Sequence, residues 1–139
     1  MTGALLAAAA VGIFVDQASK AVARRLLAER GPLSRGRSGF TWVLNSRGSL
    51  VPIPVSVALA LWVAALGGAT AAVVQGSRGL GLAAAVGVGL VLGGAAGNLA
   101  DRVRRGVVQD FIAVWRWPPF NLADASMVAG TILLAGALV

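Results

Sequence analysis

The chain has no cysteine and no histidine. Without cysteine it can form no disulfide, thiol nucleophile or thiolate metal site. Without histidine it lacks the commonest general base and the commonest transition-metal ligand. Charge is scarce too: only 12% of the residues are charged, where a soluble domain carries about a quarter. There are five acidic residues and a single lysine, Lys20. Any catalysis must therefore rest on carboxylates, Lys20, arginines, hydroxyls and backbone, and neither a metal nor a cofactor is expected.

What the chain does have is apolar length. It is 58% hydrophobic over 139 residues, with a mean hydropathy of +0.83. A membrane span needs roughly 20 apolar residues, and four such runs can be read. The first is about Ala4 to Ala23, without the basic leader of a cleaved signal, and so expected to be retained. The second runs from about Val55 to Val74, with Pro52 and Pro54 just ahead of it, where a helix start tolerates proline. The third, about Leu80 to Ala100, is rich in Gly and Ala, which lets helices approach closely. The fourth is about Asn121 to Val139. Lipid offers backbone groups no partners, so each run must be helical. The connection from Leu26 to Val51 holds GPLSRGRSG, a loop signal, then FTWVLN, a plausible short strand. In the connection before the fourth run, Trp115 and Trp117 suit a membrane interface. The expected fold is an all-α membrane protein, one domain over 1–139, with four transmembrane helices and a small extramembrane β-like platform in the first long loop.

The formal net charge is +7. In a soluble protein that would suggest nucleic acid. Here the cations lie between apolar runs, so membrane lipids are the expected partners and nucleic acid is not. Arg24, Arg25, Arg30, Arg35, Arg37 and Arg47 crowd the first connection, and Arg102, Arg104, Arg105 and Arg116 the third. By the positive-inside rule both connections would face the cytoplasm.

The acids are Asp16, Glu29, Asp101, Asp110 and Asp124. An ionisable group within an apolar segment is costly and so a functional candidate. Asp16 and Lys20 share a helix face and can pair, either as a structural anchor or as part of a site. Asn98 and Arg102 project together at the end of the third run, beside Asp101. Asp110 in GVVQDF and Asp124 in FNLADAS could meet at the membrane surface. Two carboxylates in contact cannot both be ionised and would share a proton, one then serving as base toward water and the other as acid. The competing reading is that both merely cap helices.

Taken in order, Asp16-Gln-Ala-Ser-Lys20, Gly93 to Arg102, Gly106 to Phe111 and Phe120 to Ser126 resemble the lipoprotein signal peptidase (signal peptidase II) family over nearly the whole chain. The resemblance implies an inner-membrane, multi-pass aspartic peptidase. Its substrate would be a diacylated bacterial prolipoprotein, cut just before the lipidated Cys. Asp110 and Asp124 match the catalytic pair. Asn98, Arg102 and Asn121 match polar residues around the site, and Asp16 and Lys20 the first-helix motif. Asn45 aligns with the family's first-loop Asn, although Asn45 to Leu50 has an extra residue and lacks the usual Phe. The family's catalytic loops face outside the cytoplasm, opposite to the charge bias; the loop arginines would then meet anionic headgroups of the outer leaflet. A monomer is expected. Two rivals stand beside this reading. One uses Lys20 as a neutral base for a Ser nucleophile such as Ser49. The other is a non-catalytic small membrane transport or scaffold protein.

Overall fold

The computed structural model describes residues 1–30, 33, 36–46, 53–74 and 81–137. Among them the chain forms α1 (Thr2–Leu27), β1 (Gly39–Asn45), α2 (Val55–Val74), α3 (Leu82–Arg105), β2 (Val108–Ala113) and α4 (Leu122–Ala137). α1, α2 and α3 are long and apolar enough to cross a membrane. α4 is apolar but has 16 described residues. At 1.5 Å per residue it extends about 24 Å, less than the roughly 30 Å of a hydrocarbon core. The expectation of four full-length spans is thus met by three helices and a shorter fourth.

α3 is the hub. Its glycines at 89, 93 and 97 recur every four residues, so they line one face, and that face meets α1. A Cβ on Gly93 would lie 2.5 Å from the backbone oxygen of Ala9, and one on Gly97 would lie 2.5 Å from a carboxylate oxygen of Asp16. Gly87 and Gly94 bring α3 equally close to Gly130 and Ala123 of α4. Small residues replace the missing hydrophobic drive in lipid by allowing backbone-to-backbone packing. The contacts run in register from Leu5 with Gly89 to Asp16 with Gly97, so α1 and α3 are parallel. α4 is antiparallel to both. α2 packs more loosely: it has no buried residue among those described, and the Trp62 indole N–H reaches the Leu92 carbonyl at 2.8 Å.

α1 and α3 therefore end at the same level, where α4 begins. At that end β1 and β2 pair antiparallel, with Val43 opposite Asp110 and Asn45 opposite Val108. The strand expected in the first long loop is present as β1, and its partner β2 comes from the α3–α4 connection, which the sequence reading left without a strand. Gly106, with φ 73°, closes α3 in the left-handed conformation that glycine adopts without strain and turns the chain into β2. Ala23 and Leu27 of α1 pack with Phe111, Trp42, Ile112 and Leu122 and seat the sheet on the bundle. Beyond β2 the chain reverses, and Phe120 pairs back onto Ile112, its N–H to the Ile112 carbonyl at 3.0 Å. That return delivers Asn121 and the start of α4 to the side of Asp110.

Candidate active site

Asn121 is the hinge of the arrangement. Its side-chain oxygen accepts from the Asp124 N–H at 3.1 Å, and its own N–H donates to Asp124 Oδ2 at 3.2 Å. This is a reciprocal capping box at the start of α4. The Asn121 Nδ2 donates to Asp110 Oδ1 at 2.7 Å and also faces Asn98 Oδ1 at 3.1 Å. One residue thus holds both carboxylates, Asp110 through its side-chain amide and Asp124 through its backbone N–H. Asn45, at the end of β1, donates to Asp110 Oδ2 at 3.1 Å. Asn98 of α3 donates to Asp124 Oδ1 at 2.9 Å. Each of the four carboxylate oxygens has one donor, which leaves each a further lone pair for a proton, water or substrate.

Asp110 is only 3% exposed, and its carboxyl is pushed up from 3.8 to about 6. Burial is the main cause. The negative charge of Asp124 raises it further, while the bonds from Asn45 and Asn121 and the more distant Lys20 charge pull it back. Asp124 does cap α4, as the competing reading held. Asp110 sits on a strand and caps nothing, so capping accounts for one carboxylate and not for their meeting.

Behind the pair lies a buried ionic cluster. Lys20 Nζ binds Asp16 at 2.7 Å and Asp101 at 2.9 Å, and donates to Asn98 Oδ1 at 2.9 Å. That last bond fixes the Asn98 oxygen toward the ammonium and therefore its NH₂ toward Asp124. Asp16 Oδ1 accepts the Ala123 N–H at 3.0 Å, tying α1 to the start of α4. Asp101 also pairs with Arg105 at 2.8 Å. Of the residues singled out from the sequence, Asn45, Asn98, Asp110, Asn121 and Asp124 converge, and Asp16 and Lys20 support them from behind. Arg102 lines the cleft beside them, its side chain without a hydrogen-bond or ion-pair partner among the described residues. Asp101, one of the acids read as candidates, takes its place as a support behind the pair, and Gln109 is the support that sequence reasoning missed. The spacing of Asp101 and Arg105, four apart on a helix, carried the signal for Asp101.

Lys20 is 2% exposed and held by two carboxylates, which opposes its use as a neutral base; Ser49 lies outside the described residues. The carboxylate pair instead opens onto a cleft of about 860 Å³ between α2, α3 and α4. Its walls are mainly aliphatic and aromatic, including Leu61, Trp62, Leu99, Phe120 and Met127.

The sequence profile of the family described as signal peptidase (SPase) II matches residues 8–139. A lipoprotein signal peptidase of Mycolicibacterium smegmatis is 39% identical over 137 residues, covering 94% of this chain and 58% of that protein. This chain therefore spans rather more than half the length of that relative. The lipoprotein signal peptidase of Pelotomaculum thermopropionicum is 39% identical over 134 residues, covering 93% and 87%. That of Mycobacterium tuberculosis is 37% identical over 137 residues, covering 94% and 68%. A bacterial membrane enzyme solved by the in meso method at 2.3 Å shares the fold, with a TM-score of 0.78 at 24% identity over 98% of this chain and 87% of that one.

Proposed function

Because the chain belongs to the signal peptidase II family, we propose that it is a membrane aspartic endopeptidase that removes the signal peptide from diacylglyceryl-modified bacterial prolipoproteins, cutting just before the lipidated Cys. Three helices able to cross a bilayer make it a membrane protein. In the proposed setting α4 completes a four-span bundle in the cytoplasmic membrane of a bacterium. The carboxylates then face the extracytoplasmic surface, and the chain works as a monomer.

The observation that carries the reading is the single Asn121 side chain and backbone binding both Asp110 and Asp124 at the mouth of an apolar cleft. With one proton on the pair, the ionised carboxylate takes a proton from water as the water oxygen attacks the scissile carbonyl. The protonated one donates to the carbonyl oxygen. Collapse of the tetrahedral intermediate breaks the C–N bond, and the proton gained from water passes to the leaving amine. The acyl chains of the substrate lie along the apolar cleft walls, and Arg102 and Asn45 orient the peptide.

The test is direct. Purified protein in mixed micelles is incubated with a diacylated prolipoprotein and with the same precursor lacking its lipid. Cleavage of the first alone, exposing an N-terminal lipidated Cys by mass, is the expected result. No cleavage of either precursor overturns the proposal.

A further inference from the structure

A second hollow lies on the far side of the ionic cluster. It has a volume of about 480 Å³ and is lined by Lys20, Arg24, Arg25 and Arg105, with Gln17 and Gln109. The parallel course of α1 and α3 produces it, because both carboxy-terminal turns arrive there side by side. α1 ends with Arg24 and Arg25, and α3 with Arg102, Arg104 and Arg105. Helix C-termini favour cations within the last turn, which accounts for arginines at these ends. It does not account for several of them converging on one hollow with no acid in its lining.

The charges around the hollow do not cancel. Lys20 is neutralised by Asp16 and Asp101, and Arg105 is held by Asp101 at 2.8 Å. With its amide oriented by its neighbours, Gln109 also accepts from Arg105, at 3.0 and 3.2 Å. The exposed side chains of Arg24 and Arg25 have no hydrogen-bond or ion-pair partner among the described residues, and Glu29 is exposed outside the lining. Two guanidinium groups thus remain uncompensated in a concavity many times the roughly 30 Å³ share of one water. Guanidinium forks match phosphate oxygens in charge and geometry.

We propose that this hollow is a phosphate-binding site, distinct from the carboxylate cleft, that takes the phosphate of an anionic lipid headgroup. The lipid source is favoured by the flanking positions of the same helix. Val22 and Leu26, next to the lining residues Ala21 and Arg25, are 56% and 65% exposed. A phosphate held by the arginines would leave its acyl chains against these side chains. The site also gives Arg24 and Arg25 a ligand on the lipid surface, which the orientation rule alone does not. The inference does not depend on the peptidase reading, since it concerns binding alone.

The test uses the full chain in phosphatidylcholine nanodiscs at constant ionic strength. In one arm phosphatidylglycerol replaces part of the lipid in increasing proportion; in the other, inorganic phosphate is titrated. The readout is Tm. A saturable rise on the order of a few degrees is expected from a ligand that binds only the folded state. A rise with phosphatidylglycerol alone identifies a headgroup site, and a rise with phosphate alone a site for the free anion. Arg24→Gln/Arg25→Gln should abolish the rise, and either single exchange should weaken it. Arg104→Gln/Arg116→Gln, outside the hollow, should leave it intact. Equal loss in both double variants, equal retention in both, or no saturable rise in either arm overturns the proposal.

Discussion

Asp110 and Lys20 show opposite ways of holding charge away from water. Asp110 is raised to about 6 mainly by burial, so the folded protein keeps its proton to a higher pH than the unfolded chain does. Between about pH 4 and pH 6 the folded state then binds more protons, and stability falls as pH rises. The full contribution is present below the unfolded value and is lost by the time pH passes about 6. It amounts at most to about 3 kcal/mol. Thermal unfolding across that window should show the decline, and Asp110→Asn should flatten it. Lys20 is the converse, an ammonium fully repaid by two carboxylates and an amide. Lys20→Met leaves Asp16 and Asp101 buried without their cation, a loss of roughly 3–5 kcal/mol. It should lower Tm sharply, and adding Asp16→Asn and Asp101→Asn should restore much of the loss. These residue types and spacings were legible in the sequence. The contact of Asp101 with Gln109 was not, because it needs β2 to fold back over the end of α3.

At the scale of elements, the glycines of α3 decide the architecture. Gly93 and Gly67 are both helical, yet a Cβ on Gly93 meets the Ala9 backbone at 2.5 Å, while one on Gly67 meets nothing within 4 Å. Gly93→Ala should therefore force α1 away and reduce Tm and folded yield, whereas Gly67→Ala should be neutral or slightly stabilising. Circular dichroism melts of the two variants separate close packing from propensity. The apolar runs announced the helices, and the observed α2 has the expected limits. β2 was not announced: Val-Gln-Asp-Phe lies in a connection rich in charge and tryptophan, and its strand character comes from pairing with β1, a contact 65 residues distant for Asn45 and Asp110. The fourth span was read from composition alone, and the described helix is shorter than a bilayer core.

For the molecule as a whole, the cleft joins an apolar wall to a polar end. If the acyl chains of the substrate lie there, filling the wall should hinder binding while sparing the chemistry. Ala65→Trp, from the α2 side of the cleft, is expected to raise KM for a diacylated precursor about tenfold with kcat little changed, the signature of lost ground-state and transition-state binding alike. A steady-state comparison of precursors with short and long acyl chains checks it, since short chains should suffer less.

The central claim is that Asp110 and Asp124 act together on one peptide bond. Single-turnover cleavage of a diacylated prolipoprotein by Asp110→Asn and by Asp124→Asn measures it most directly, with each variant first shown to be folded. Each should fall to about one-thousandth of the parent rate or below, as expected where two groups work as a unit. A folded variant of either residue that keeps a tenth or more of the parent rate would contradict the account.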